Sequence, residues 1–210
     1  SSAAGHDLVR ASRVLSTKDW RRWEWGSVLA ALQGPLMTPS VTAEVLRTKF
    51  FRRLGGLFRC ELSSKAPFAC MPWTVESLPL LHVLVAWITP LLRCPEGLAF
   101  LRGDRRGQLV RQVAKALAAA VEGGGAGAGA QRSAFSRQQL SRSHARDFLA
   151  LVGFLSASEA GMRLLEEEEI LETLKASASS AATAHIARTV LPFLDYSAAA
   201  SATGGGGGGS

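Results

Sequence analysis

The sequence predicts an all-α chain built from stacked helical repeats. Apolar side chains recur at helical spacing along most of the chain, and no segment alternates in the way that would indicate a β-strand. In addition, one phrase occurs twice, in residues 91–101 and 154–165: an apolar helix end, a turn before a glutamate, a glycine and a short apolar helix. We align the copies with an offset of 63 residues and one inserted residue. Two copies of a helix–corner–helix unit favour stacked helical repeats.

The most apolar stretch of the chain, residues 78–92, predicts a helix that is buried between other helices. It carries no formal charge, but it is shorter than the roughly 20 apolar residues that cross a membrane. Ser77 can cap its start and Pro79 suits the first turn, whereas Pro90 must kink or end it. Because His82 lies within this stretch, we expect it to be a buried, hydrogen-bonded core histidine.

Three helices are predicted before this stretch. The first covers residues 8–15 with Asp7 as its N-cap, and the second covers residues 19–32 and ends at a glycine–proline pair. The third begins with Thr38 as N-cap and a proline at the first helical position. Its apolar stripe comprises Val41, Val45, Leu46, Phe50, Leu54, Leu57 and Phe58.

Four further helical segments are predicted after the apolar stretch. They cover residues 104–121, 136–155, 161–174 and 179–195, the third as one broken helix or two short ones. The first two begin with an aspartate and a serine that suit the N-cap position. Their inward-facing side chains are predicted to be Leu109, Val113, Ala116, Leu117, Ala120, Leu140, Phe148, Leu151, Val152 and Leu155. Residues 60–74, with two prolines and no clear period, are predicted to form a loop.

The domain organisation follows from these segments. N-terminal helical repeats are predicted over residues 7–122 and C-terminal helical repeats over residues 136–197. Between them lies a glycine-rich linker or insertion, residues 123–135, and a low-complexity tail follows, residues 198–210. Both glycine-rich runs are expected to be mobile and removable without unfolding the chain, because ordering glycine costs the most backbone entropy and neither run offers large apolar side chains.

Charge, the N-terminal residues and the cysteine count indicate which partners and which cellular compartment to expect. Its 210 residues carry a formal net charge of +7, but no run of five or more basic residues occurs, so charge gives little support to a nucleic-acid or membrane partner. The N-terminus has neither an apolar leader nor an initiator methionine, which favours a fragment or a processed product. The three cysteines, Cys60, Cys70 and Cys94, match no disulfide framework, so we expect buried thiols in a reducing, cytoplasmic compartment.

No pattern of residues in the sequence indicates catalysis, cofactor binding or metal binding. The four histidines, His6, His82, His144 and His185, have no partner at metal-ligand spacing, and neither a phosphate-binding loop nor a nucleophile elbow occurs. The acidic run of residues 166–169 is predicted to be a solvated helix face rather than a catalytic pair. We therefore predict no catalytic, cofactor or metal residues. A deep polar pocket that joins His144 or His185 to a cysteine or a carboxylate would contradict this prediction.

The best candidate binding surface is the basic helix over residues 47–59. Lys49, Arg52 and Arg53 are predicted to share one side of it, where they could bind the phosphates of nucleic acid or of anionic lipid. A solvated cationic face on an ordinary amphipathic helix explains the same pattern and is favoured. Three tryptophans near a helix start could stack on bases, but tryptophans in such a place more often anchor a core. They are Trp20, Trp23 and Trp25.

Four phrases occur along the chain in an order that is fairly specific to one family. The first, residues 19–54, runs from Asp-Trp-x-x-Trp-Glu-Trp through a Leu-Gln-Gly-Pro-Leu stop to Glu-x-x-x-Thr-x-Phe. The others are residues 91–101, residues 148–166 and a Leu-Asp-Tyr-Ser helix end at residues 194–197. Two arginines separate the first two tryptophans of the opening phrase, and the glycine-rich run resembles an insertion. Together the phrases resemble the Rictor family, the rapamycin-insensitive companion subunit of the second TOR kinase complex.

The resemblance implies both an architecture and a role. The family is similar to armadillo and HEAT proteins, so this chain is expected to be an inner segment of a long α-solenoid with no catalytic residues of its own. The implied role is to assemble TOR complex 2 and to support TOR signalling to AGC kinases. The implied partners are the TOR kinase and other subunits, with peripheral membrane contact through the complex. The alternative is an α-helical module that binds nucleic acid or anionic lipid through the basic helix 47–59.

Overall fold

The structure, a computed structural model, describes residues 2–62, 67–72, 74, 78–104, 107–123 and 133–194, with the backbone alone at 78 and 79. Three features predicted from the sequence lie outside the described residues: the Ser77 cap, most of the glycine-rich linker and the chain after residue 194. The division into two sets of repeats joined by a linker stays a prediction, as does the mobility of both glycine-rich runs.

Within the described residues the chain forms twelve α-helices and no β-strand, which confirms the predicted all-α class. They are α1 (Ser2–Ala11), α2 (Trp25–Gln33), α3 (Pro39–Leu46), α4 (Phe50–Leu57), α5 (Leu78–Leu92), α6 (Pro95–Gly103), α7 (Leu109–Glu122), α8 (Arg137–Arg142), α9 (Ala145–Ser156), α10 (Glu159–Glu167), α11 (Ile170–Ala178) and α12 (Ala184–Val190). Short 3₁₀ turns lie at Trp20–Arg22, Pro35–Met37, Phe68–Cys70 and Leu191–Phe193.

The helices stack in three successive layers. Helices α2, α3 and α4 form the first layer, α5, α6 and α7 the second, and α9, α10 and α11 the third. Corresponding helices contact each other between layers, since α2 packs on α5, α3 on α6, α5 on α9 and α7 on α11. One continuous core of buried side chains runs through all three layers, from Val9 to Val190. This is the helical-repeat architecture that the sequence predicted.

The repeated phrase forms the same corner in the second and third layers. At the start of α6 the Sγ atom of Cys94 accepts a hydrogen bond from the Gly97 backbone N–H at 3.3 Å. At the start of α10 the Oγ atom of Ser158 accepts one from the Gly161 N–H at 3.2 Å. Cys94 and Ser158 therefore each cap a helix. The sequences of the two corners align with a constant offset of 64 residues. The inserted residue in the predicted alignment was wrong.

Both corners depend on a glycine where the two helices meet. A Cβ atom on Gly97 would lie 2.3 Å from the Leu91 carbonyl oxygen, and one on Gly161 would lie 2.2 Å from the Leu155 carbonyl oxygen. The chain bends by 117° between α5 and α6, so the start of α6 touches the backbone of α5. Only a residue without a side chain fits this approach.

Helix α5 is the buried helix that its apolar composition predicted. Val83, Leu84 and Trp87 are fully buried, and the Trp87 indole N–H donates to the Phe51 carbonyl oxygen at 3.2 Å. His82 is the exception, because it is exposed, so the prediction of a buried core histidine there was wrong. No single described helix is long and apolar enough to cross a membrane; α5 and α6 reach that length only together, across the bend.

The N-terminal helices differ from prediction in where they begin and break. Helix α1 begins at Ser2, so Asp7 lies inside it rather than capping it, and it ends just before Arg13, whose φ is 61°. The predicted third helix is two helices, α3 and α4. Its break lies at Thr48, whose hydroxyl donates to the Val45 carbonyl oxygen and accepts from the Phe50 N–H, so side-chain bonds replace the helical pattern.

The C-terminal helices show similar breaks. Asp104 ends α6 instead of starting α7, which begins five residues later. Ser136 caps α8 as predicted, but that helix stops at Arg142, and α9 begins after His144. The acidic run holds the break between α10 and α11, where Glu169 has φ 55°, so residues 161–174 belong to two short helices, one of the two predicted forms. The last helix, α12, begins at Ala184, and not near residue 179.

The predicted loop contributes to the core. Its Phe68 side chain is fully buried and packs edge-on against Phe58 and Phe148, so residues 67–72 join the first half of the chain to α9. Cys60, at the start of the predicted loop, is also buried, and burial raises the pKa of its thiol. Cys70 is exposed, which contradicts the expectation that all three cysteines are buried.

Candidate binding surfaces

The four histidines lie in four different environments. His6 contacts the Glu44 carboxylate at 3.2 Å near the surface, and His82 is exposed on α5. The two ring nitrogens of His185 lie 3.1 Å from the carbonyl oxygens of Ala182 and Phe135. Among the described residues, no three His, Cys, Asp or Glu side chains lie close enough together to hold a metal ion.

His144 and Asp147 form a buried hydrogen-bonded pair that no pattern in the sequence indicated. The His144 ring is fully buried, the Asp147 side chain is 3% exposed, and Nδ1 contacts the carboxylate. The Phe68 ring lies 5.0 Å from the imidazole, and the His144 backbone N–H donates to the Met71 carbonyl oxygen at 3.1 Å. Because the core encloses the imidazole, the pair is a structural tie between residues 67–72 and α9, and a substrate cannot reach it.

Two of the four carboxylates in the acidic run, residues 166–169, form ion pairs that connect the second layer to the third. The Arg102 guanidinium on α6 makes two hydrogen bonds to the Glu167 carboxylate, at 2.7 and 2.8 Å. Arg111 on α7 makes two to Glu168, at 2.9 and 3.2 Å. The run is therefore only partly the solvated face that the sequence predicted, because two of its four carboxylates join the second layer to the third.

Glu167→Gln is expected to lower the free energy of unfolding at neutral pH by less than about 1 kcal/mol, because solvent screens the exposed pair. The hydrogen bond from Arg102 lowers the pKa of Glu167 from its ordinary value of 4.5. The stabilisation is therefore present above that pH and is lost as the pH falls through the folded-state pKa. Urea unfolding of both proteins at neutral pH and at about pH 3 measures the difference.

Glu166→Gln is the matched control for this measurement, because the structure records no ion pair for Glu166 within the described residues. It should change stability little at either pH. A stability difference between the wild type and Glu167→Gln that is equally large at both pH values would contradict the assignment of the effect to this ion pair.

The basic helix 47–59 does not present the continuous cationic side that was predicted. Its Arg52 turns toward α6 and contacts the Asp104 carboxylate at 2.7 Å. Arg53 points the other way and donates to the carbonyl oxygens of Val14 and Thr17, so it fastens the segment after α1. Arg52 and Arg53 therefore form contacts within the chain and lie on different sides of α4. The prediction that they share one side with Lys49 was wrong.

A shallow basic groove of about 560 Å³ remains beside α4. Its cationic and aromatic lining comprises Lys18, Lys49, Arg53, Arg59, Trp20 and Trp23. Arg59 pairs with Glu61, and Trp23 is buried with its indole N–H donating to the Thr17 carbonyl oxygen at 3.0 Å. The tryptophans thus anchor the fold, as favoured above, and two of the four cations already have partners within the chain.

Comparison with known proteins finds that the chain is similar to one family model and to several curated proteins. Residues 126–202 match the family model "Rapamycin-insensitive companion of mTOR, middle domain". Protein pianissimo A of Dictyostelium discoideum is 23% identical over 90% of this chain and 17% of its own length. Two further relatives are named Target of rapamycin complex 2 subunits. They are ste20 of Schizosaccharomyces pombe (26% identical, 80% of this chain, 12% of its own) and TSC11 of Saccharomyces cerevisiae (28%, 75% and 10%).

Proposed function

We propose that this chain is a segment of a Rictor-family protein and, on that basis, that it is a non-catalytic scaffold segment of TOR complex 2. The observation that carries the proposal is that its relatives cover 75–90% of the chain and that two of them are named subunits of this complex. The chain spans only 10–17% of the length of these relatives, so it corresponds to a small part of each.

The layered architecture supports this role physically. Stacked helical layers contact only their neighbours and present long surfaces on which other proteins can bind. We propose that these surfaces contact the TOR kinase and other subunits of the complex, which acts on AGC kinases in the cytoplasm, with membrane contact only through the complex. No catalytic residue is assigned to the segment.

Co-purification tests the proposal. The tagged full-length protein should co-purify with a TOR kinase. A variant of that protein from which only residues 7–197 of this chain are deleted should co-purify with much less of the kinase. Recovery should tolerate raised salt, because protein interfaces depend on apolar groups at their centre, whereas binding to phosphates falls steeply with salt. Recovery of nucleic acid without a kinase would overturn the proposal in favour of the module that binds through helix 47–59.

Charge reversal provides a control for that alternative. Lys18→Glu with Lys49→Glu changes the two cations of the basic groove for which the structure records no ion pair within the described residues. Arg52 and Arg53 are unsuitable because they also hold the fold. The scaffold proposal predicts unchanged recovery of the kinase by this double variant.

A further inference from the structure

An open apolar groove of about 630 Å³ lies between α11, α12 and the end of α10. We call it the C-terminal groove. Its apolar lining comprises Leu165, Leu171, Leu174, Val190, Leu191 and Leu194. Leu191 is 49% exposed, the most exposed of the three large apolar side chains that lie exposed in the described part of the chain. The third layer therefore presents apolar surface that no described residue covers.

The rim of the C-terminal groove is acidic. Glu166, Glu169 and Glu172 line it together with a single cation, Lys175, whose ammonium group lies 2.6 Å from the Glu172 carboxylate. Glu166 and Glu169 are exposed, and the structure records no ion pair for either within the described residues. Three carboxylates against one ammonium leave a net negative rim beside an apolar floor.

Because an occupant must match both the apolar floor and the negative rim, we propose that the C-terminal groove docks an amphipathic helix from another protein subunit. The apolar stripe of that helix would fill the groove, and lysines or arginines beside the stripe would meet the rim. The inference rests on the proposed scaffold function, since it assigns one of the scaffold's contacts.

The chain's own tail does not have this chemistry. Residues 195–210 contain one large apolar side chain, Tyr196, and no lysine or arginine. Their one charged residue, Asp195, has the same sign as the rim. Residues 195–210 therefore do not supply the basic amphipathic helix that the charges of the rim favour.

A synthetic helix tests the proposal on the full 210-residue chain. The probe is a fluorescent peptide of about 18 residues, or five helical turns, with leucines at i, i+4, i+7 and i+11 and lysines beside them. Fluorescence anisotropy should detect saturable binding. The same peptide with glutamates in place of the lysines should bind at least about tenfold more weakly. Equal binding of both peptides, or no binding of either, would overturn the proposal.

Groove variants locate the binding. Glu166→Lys with Glu172→Lys, and separately Leu191→Asp, should each weaken the lysine peptide at least about tenfold. All three side chains are exposed, so the fold should persist, as circular dichroism can verify. Glu122→Lys, an exposed charge reversal at the end of α7 and outside the groove, should leave binding unchanged. Binding that the groove variants leave intact would place the peptide elsewhere and sink the proposal.

The other occupants are outcomes of the same experiments. Self-association of the chain in sedimentation, abolished by Leu191→Asp, would assign the groove to a second copy and overturn the proposal. Tighter peptide binding after removal of residues 195–210 would assign it to the tail with the same consequence. Failure of the groove is distinguishable from failure of the scaffold role, because full-length protein that still recovers the kinase retains the proposed function.

Discussion

Replacing Gly97 or Gly161 with valine is expected to prevent the corner from closing and to lower the free energy of unfolding by about 3 kcal/mol or more. The added Cβ atom would overlap a backbone carbonyl oxygen of the preceding helix, at 2.3 Å in one corner and 2.2 Å in the other. A backbone atom cannot rotate away as the end of a side chain can, so the two helices must separate. Urea unfolding followed by circular dichroism measures the loss.

Gly103→Ala is the control for the corner glycines, because Gly103 lies in α6 with Gly97 and a Cβ atom there would meet nothing within 4 Å. Alanine is the better helix former, so this change should be neutral or stabilise by up to about 1 kcal/mol. If Gly97→Val were tolerated as well as Gly103→Ala, the close approach at the corner would not exist.

Trp87→Ala is expected to destabilise the chain by about 4 kcal/mol, the range seen for large aromatic side chains in cores. The Trp87 side chain is fully buried at the centre of α5, between the rings of Phe58 and Phe100 at 6.2 and 6.5 Å. Its removal leaves a cavity and also leaves the Phe51 carbonyl oxygen without the indole N–H. Thermal and urea unfolding both measure this loss.

Two substitutions divide the Trp87 effect into packing and hydrogen bonding. Trp87→Phe keeps most of the packing and removes only the donor, so it should cost clearly less than Trp87→Ala. Trp20→Ala removes a half-buried tryptophan and should also cost less. A Trp20→Ala loss as large as that of Trp87→Ala would show that α5 is not the centre of the core.

Local patterns in the sequence predicted the parts of the fold that depend on neighbouring residues. Helix α5 was predicted with its observed limits because fifteen successive residues without a formal charge, nearly all of them apolar, allow few other structures in a chain of this size. The corners at Cys94 and Ser158 were predicted because an apolar helix end, a turn before a glutamate, a glycine and a short apolar helix follow in the same order in both copies. These features are local, so they can be read before any long-range contact is known.

Features that depend on distant residues could not be predicted in this way. His82 lies in the most apolar stretch but is exposed, at the edge of an open pocket that it lines together with Ala150 and Phe193. His144 lies in a polar segment but is fully buried, because Phe68, 76 residues earlier, packs on its ring. Apolar surroundings in sequence therefore did not indicate burial in space.

The ion pairs between layers join distant residues, but the sequence repeat makes them partly predictable. Arg102 and Glu167 are 65 residues apart, close to the 64-residue offset between the two corners. Once the repeat is recognised, the ends of α6 and α10 must lie one above the other, so these two side chains can be expected to meet. Individual charge patterns gave no such signal. By contrast, the C-terminal groove depends on how α12 packs against α11, which no short pattern in the sequence specifies.

The 64-residue offset also sets a waiting time during synthesis. Helix α5 can close its own corner with α6 as soon as both have left the ribosome, but the face that packs on α9 stays uncovered until the next layer emerges. At about 5–20 residues per second this takes roughly 3 to 13 s. A nascent chain of this kind therefore exposes the apolar surface of one layer at a time. Each new layer provides the surface against which the next layer packs as it folds.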